Sequence, residues 1–202
     1  GDKDILPSDE NYFTVNETGE TITSLTEAGK TQTELVIPYE INGKEITTLY
    51  SGVDGISILD GNTAITEVVI PSSVTHIGNS AFYGRSLLSS INIPNSVITI
   101  GRNAFSSCSS LTSIDIPNSV TSIGLAAFSH CNALTSIDIP NSVTSIGLDV
   151  FANCTNLKIY CEQGSYAETY ANTNNIPVKY TDIDASKYIT KDIADSTYAT
   201  KE

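Results

Sequence analysis

A five-residue phrase that returns at a fixed interval constrains this chain more than any other feature. Ile70-Pro-Ser-Ser-Val74, Ile93-Pro-Asn-Ser-Val97, Ile116-Pro-Asn-Ser-Val120 and Ile139-Pro-Asn-Ser-Val143 are spaced 23 residues apart, and their surroundings keep step. Gly78, Gly101, Gly124 and Gly147 hold one phase of the period, Phe82, Phe105, Phe128 and Phe151 another, and Leu88, Leu111, Leu134 and Leu157 a third. About eight residues of a unit point inward, too few to close a core alone, so such units must stack and bury their apolar edges against one another.

The spacing of apolar residues predicts the path of one coil. Ile114 and Ile116 alternate with Ser113 and Asp115, the period of a strand with one buried face, and Pro117 ends it by removing a ladder donor. Val120 and Ile123 return the chain inward through a second extended stretch, and Gly124 is expected to supply conformational freedom at a bend. Ala127, Phe128, Cys131 and Leu134 then follow at the spacing of one face of a short helical turn. Stacked, the phenylalanines and the Cys108, Cys131 and Cys154 column form inward ladders, with Arg85 in the cysteine phase one coil earlier.

The pattern I-P-x-S-V-T-x-I-G-x-x-A-F-x-x-C-x-x-L-T-S-I closely resembles the BspA-type leucine-rich repeat, a module of bacterial surface proteins, over roughly residues 11 to 180. Tyr12-Phe-Thr-Val15, Thr21-Ile-Thr23 and Leu35-Val-Ile-Pro38 resemble that family's N-terminal strands, and Gly164-Ser-Tyr-Ala-Glu-Thr-Tyr-Ala171 its terminal helix. The resemblance implies a curved right-handed solenoid, an extracellular or bacterial cell-surface location, adhesion or host interaction in some members, and no shared catalytic residues. The expected fold is therefore a repeat α/β solenoid of 23-residue units, with short parallel strands, helical turns, a β-rich N-terminal cap and a short C-terminal capping helix.

Four regions are expected: a cap with a degenerate first repeat over 1–64, four repeats over 65–160, a C-terminal cap over 161–181, and a linker or following region over 182–202. Ile37-Pro38 precedes Ile70-Pro71 by 33 residues, so the first coil carries ten extra. Asn42-Gly43 reads as a tight hairpin, and residues 47–62 as a surface excursion. Ser165 and Glu168 have the form of a capping box, and residues 175–180 are expected to lie as a strand over the last coil. In the tail, Ser186-Lys-Tyr-Ile-Thr-Lys191 and Ser196-Thr-Tyr-Ala-Thr-Lys201 echo each other. Gly1-Asp2-Lys3-Asp4 lacks the basic and apolar regions of a secretory signal, and a chain without Met reads as a piece of something longer.

The chain holds 23 acidic and 10 basic residues among 202, a net charge of −13, of which −9 falls on residues 1–64. That sign repels phosphate backbones and anionic lipid, and no apolar run is long enough to span a bilayer, so neither nucleic acid nor direct membrane insertion is expected. The acidic cap reads as a solvated surface, with a basic partner or weak Ca²⁺ binding as the minority readings. His76 and His130 fall at unmatched phases, so neither a metal site nor a cofactor is expected, and the abundant serines belong to repeat turns. The four cysteines are expected to be buried thiols, with a Cys154–Cys161 bond as the competing reading.

Two functions remain. The first is a non-enzymatic binding or adhesion module that meets a protein or glycan on a host or neighbouring cell; the second is a structural spacer. The strand face, with Glu67 and Val69, Ser90 and Asn92, Ser113 and Asp115, and Ser136 and Asp138, is polar and poor in the aromatic and Arg anchors of interface hot spots. Departures from the repeat are the better suspects: Tyr83, Arg85 and Arg102, with Tyr39 and Tyr50 in the cap, beside Asp115 and Asp138 on the strand face.

Overall fold

Three-residue strands hold together only when stacked, and the chain stacks them on two sides of a coil. The computed structural model describes residues 7–181; the tail echo and the character of residues 1–6 and 182–202 lie outside the described residues. On the first side, Glu34–Val36, Glu67–Val69 and Ser90–Asn92 form one parallel sheet, and Ser136–Asp138, Lys158–Cys161 and Val178–Tyr180 form another. The coil between them joins only through a bridge of Asp115 to Asp138. On the second side one sheet runs the length of the stack. Phe13–Val15 pairs antiparallel with Thr21–Leu25, and Thr48–Leu49, His76–Ile77, Thr99–Ile100, Ser122–Ile123 and Ser145–Ile146 follow in parallel. Register puts Leu49, Ile77, Ile100, Ile123 and Ile146 in one buried ladder, the solenoid that the 23-residue period predicts.

The third side is built of turns. Cys108 N–H donates to Phe105 O and Leu111 N–H to Cys108 O, both at 3.1 Å, the i to i+3 bonds of a helical turn. Winding stops there because Asn103 and Ser107 hold φ of 53° and 64°, and Ala126 and His130 hold 53° and 60° one coil on. Alternate amides then point along the stack: Asn103 N–H reaches Leu125 O at 2.9 Å, and Phe105 and Ser107 N–H reach Ala127 O and Ser129 O at 2.8 Å. Backbone bonds therefore join neighbouring coils on this side too.

Between the three sides run the side-chain ladders. Phe82, Phe105 and Phe128 stack with ring centroids 5.2 Å apart, Phe151 adds at 5.7 Å, and Tyr170 closes the column edge-on at 6.0 Å. The cysteines run beside them, all four buried and none in a disulfide. The Cys108, Cys131 and Cys154 thiols donate to the carbonyls of Phe82, Phe105 and Phe128 at 3.2–3.3 Å. Burial pushes the Cys108 thiol up to about 12 and raises Cys131 and Cys154 as well. Because the thiolate is the reactive form, native protein at pH 8 is expected to resist a thiol reagent, and denatured, unreduced protein to release four equivalents. Fewer than four would reveal a bond.

The glycine column has a different cause from the one expected. Gly78, Gly101, Gly124 and Gly147 do not hold positive φ; a Cβ at Gly124 would lie 2.5 Å from Arg102 N and 2.6 Å from Gly101 C. The side chain is absent because adjacent backbones approach there, and Tyr50 occupies the same phase at the start of the column, its Cβ beneath Gly78.

Residues 47–62 also differ from the expected surface excursion. Thr48–Leu49 is a strand of the long sheet, and Ile58 and Leu59 are fully buried. Ser57 Oγ donates to Ala81 O at 2.7 Å, and buried Asn62 donates through Nδ2 to Gln32 O at 2.8 Å while its Oδ1 accepts the Ala64 and Ile65 amides at 2.9 Å. The insertion completes a coil with local side-chain bonds in place of the repeat's own residues. At Asn42-Gly43 the φ values of 53° and 73° form the two-residue turn between Glu40–Ile41 and Lys44–Glu45.

The C-terminal cap is Tyr166–Thr173, with Ser165 Oγ accepting the Glu168 amide at 3.2 Å. Glu168 Oε2 accepts from Gly164 N–H at 2.6 Å, one residue before the N-cap that a capping box would serve. Val178–Tyr180 then pairs with Lys158–Cys161 over the last coil.

Candidate interaction surface

Register arranges the exposed side chains of the first side in two columns. Glu34, Glu67, Ser90 and, further along, Ser136 and Lys158 form one; Val36, Val69 and Asn92, then Asp115, Asp138, Tyr160 and Lys179, the other. Asn92 turns back onto its neighbour: Oδ1 accepts the Ile70 amide at 2.8 Å, whereas Ile37 and Ile139 donate to backbone carbonyls of the next coil. Asp115 and Asp138 face each other across the bridge and line a cleft with Asn118, Glu162 and Thr181. Glu162 escaped the sequence reading because it lies past the last repeat, where the period carries no information.

Burial first, and then the Asp115 charge, push the Asp138 carboxyl above the ordinary aspartate range. A carboxyl whose folded pKa exceeds its unfolded one holds its proton more tightly when folded, so its stabilisation is present at low pH and lost as pH rises through the folded value. Asp138→Asn is therefore expected to stabilise the fold at pH 7 by less than about 1 kcal/mol, since the pair is largely solvated. The gain should vanish below the ordinary aspartate value of about 3.9. Urea unfolding at pH 7 and pH 3 checks this, and an equal effect at both would exclude charge as the cause.

The other candidate residues are dispersed. Tyr39, half exposed, donates its hydroxyl to Glu45 Oε1 at 2.6 Å, and that bond, followed by burial and the Glu45 charge, raises its pKa. Tyr50 lies on the second side, its hydroxyl 3.3 Å from Asp54 Oδ1, with burial and then Asp54 raising its pKa. Tyr83 and Arg85 sit on the turn side. Arg85 NH1 donates to Leu59 O at 2.8 Å and Asn62 O at 2.6 Å, tying the inserted first coil to the second, so its guanidinium has a structural task. Arg102 is exposed, its amide donating to Asn79 Oδ1 at 2.9 Å and its carbonyl accepting from Ser80 at 2.8 Å. Only Asp115 with Asp138, and Tyr83 with Arg85, are brought together. Among the described residues no group of three or more His, Cys, Asp and Glu is placed to hold a metal, and no helix is long and apolar enough to cross a membrane.

The model of the BspA-type leucine rich repeat region matches residues 59–179 in six copies. The chain belongs to this family. Similar solved structures are bacterial leucine-rich repeat proteins. One from T. pallidum is 29% identical, with 77% of this chain and 71% of that one covered and a TM-score of 0.67. One from Bacteroides ovatus is 32% identical, with 78% and 40% covered and a TM-score of 0.60. A leucine rich cell surface protein from Faecalibacterium prausnitzii is 29% identical, with 79% and 39% covered and a TM-score of 0.61. The chain thus spans about two fifths of the latter two. No curated protein matches significantly. Within the BspA-type repeat of this chain, conserved-phase residues serve the stack, which leaves the strand columns and the departures from the phrase as the variable surface.

Proposed function

We propose that this BspA-type chain is a non-enzymatic binding module of a bacterial cell surface that engages a protein or glycan through the side-chain columns of its first side. The observation that carries the reading is the register of those columns, which holds Val69 beside Asn92 and, further along, Asp115, Asp138 and half-buried Tyr160 side by side at strand spacing of about 5 Å. Such a lattice recognises an extended partner without any conformational change of its own. The likeness to a cell surface protein supports the location, and none of the three similar structures is named as an enzyme. A second reading, a spacer that displays a neighbouring domain, draws on the backbone bonds that join coils on all three sides.

Labelled full-length chain applied to an array of extracellular-matrix proteins, mucins and glycans separates the two, with a solenoid of consensus coils as control. Saturable binding that the control lacks, and that Asp115→Asn with Tyr160→Ala weakens about tenfold or more, is expected. A blank array with folded protein would favour the spacer.

A further inference from the structure

A parallel ladder binds neighbouring coils through alternate amides and carbonyls, and at one joint of the first side that ladder is missing. Among the described residues no backbone hydrogen bond joins residues 89–93 to residues 112–116. The sheet of Glu34–Val36, Glu67–Val69 and Ser90–Asn92 ends there, and the next coil is held on its far side by the Asp115–Asp138 bridge. At paired joints the isoleucine of the repeated phrase donates along the stack, Ile37 to Val69 O and Ile139 to Tyr160 O, both at 2.9 Å. Ile93 has the same phase and makes no such bond.

Burial marks the same joint independently. Ile91, Ile93, Ile114 and Ile116, the inward residues on its two edges, keep 4–9% of their surface exposed, against 0–2% for Leu35, Ile37, Val68, Ile70, Ile137 and Ile139. Asn92 ties its strand to the earlier coil with its side chain, Oδ1 accepting the Ile70 amide at 2.8 Å and Nδ2 donating to the Ile70 carbonyl at 3.3 Å. The other two sides of the joint are intact. Thr121 and Gly124 N–H donate to Ile98 O and Ile100 O at 2.9 and 2.8 Å on the second side, and Asn103 and Phe105 N–H to Leu125 O and Ala127 O at 2.9 and 2.8 Å on the turn side. Between them the Phe105 and Phe128 rings stack at 5.2 Å, within 2° of parallel.

A joint bonded on two sides and unbonded on the third has one easy motion, a rotation that parts the unbonded strands about the bonded sides as axis. The backbone groups of the seam lie among exposed Ser90, Asn92, Ser113 and Asp115, where solvent can satisfy them whether the strands are close or apart, so parting them breaks no ladder bond. Only the contacts of the four isoleucines resist it. We propose that the seam between residues 89–93 and 112–116 is a hinge built into the solenoid, at which the first side opens and closes while the second and turn sides stay bonded. The hinge sets the angle between two halves of the first-side columns, Val36, Val69 and Asn92 on one and Asp115, Asp138 and Tyr160 on the other, and each half keeps its own register. It operates whether or not those columns meet a ligand, and it makes the stack two jointed segments in place of one stiff rod.

The test pairs amide exchange with matched distance measurements on the full chain. In the unsubstituted protein the Ile93 amide is expected to exchange about tenfold or more faster than that of Ile139, after correction for intrinsic rates and with little dependence on urea, while Thr121, Gly124 and Phe105 stay protected. For the distances, nitroxide labels at Glu67→Cys with Ser136→Cys span the seam on the first side, and labels at His76→Cys with Ser145→Cys span the same coils on the second side, where every joint is paired. The four native cysteines are buried, which confines labelling to the introduced pair. Electron–electron resonance is expected to give a first-side distance distribution about twice as wide as the second-side one. Equal widths, or an Ile93 amide as protected as that of Ile139, would overturn the proposal. Loss of protection at Thr121, Gly124 and Phe105 together with Ile93 would also overturn it, because the joint would then come apart on every side. The exchange measurement needs no variant to fold.

Discussion

Phe128→Ala is expected to destabilise the protein by about 3 to 5 kcal/mol, among the largest effects available to a single side chain here. The ring is fully buried between Phe105 at 5.2 Å and Phe151 at 5.7 Å, so truncation leaves a void inside a column that continues on both sides. Collapse cannot fill it, because coil-to-coil backbone bonds, such as Phe105 N–H to Ala127 O and Phe128 N–H to Val150 O, hold the flanking turns at fixed separation. For a chain of this size the loss corresponds to about 6 to 20 °C in Tm. Since each coil touches only its neighbours, amide exchange should accelerate first at Phe105 and Phe128 and least at the N-terminal cap. Wild-type-like melting would refute the stacked column as a source of stability.

Gly124→Ala is the second large effect, from a different cause. One methyl group would meet three backbone atoms, Arg102 N at 2.5 Å, Gly101 C at 2.6 Å and Arg102 Cα at 3.0 Å, none of which can rotate away. The coils must separate along the axis, weakening the Gly124 N–H bond to Ile100 O, now 2.8 Å, and the ring stack beside it. Overpacking of this kind costs about 1 to 3 kcal/mol, and contact with backbone atoms alone places it at the upper end. Gly52→Ala is the matched control. It has a positive φ of 84° and nothing within 4 Å of the new Cβ, so its cost is conformational, about 1 kcal/mol. Equal losses in urea unfolding of the two variants would show that conformation, and not close approach, explains the glycine column.

That distinction shows how far the sequence could be read. The recurrence of Gly124 with its three counterparts marked the position as special, yet periodicity does not reveal whether a glycine is needed for its φ or for its missing side chain. The helical turn at Phe128 was legible as spacing, while the left-handed residues that stop it were not, since Ser80, Asn103, Ala126 and Asp149 share no chemistry. Ile58 and Leu59 passed as surface because the insertion broke the period by which the core positions of the repeats were found. Arg85 looked like a free anchor, and its carbonyl partners lie on that same insertion.

What the sequence by itself determined is the stack: a 23-residue phrase with an apolar edge buries it against copies of itself, so the strand positions and core columns of the repeats follow from the spacing. What only the tertiary structure decided is where that regularity ends. Glu162 beside the Asp115–Asp138 bridge, the Arg85 bonds to the carbonyls of Leu59 and Asn62, and the Tyr170 ring that closes the phenylalanine column arise where segments outside the 23-residue period meet the stack. Repetition dictates contacts between equivalent residues, whereas the ends and the insertion depend on contacts between residues that have no equivalents.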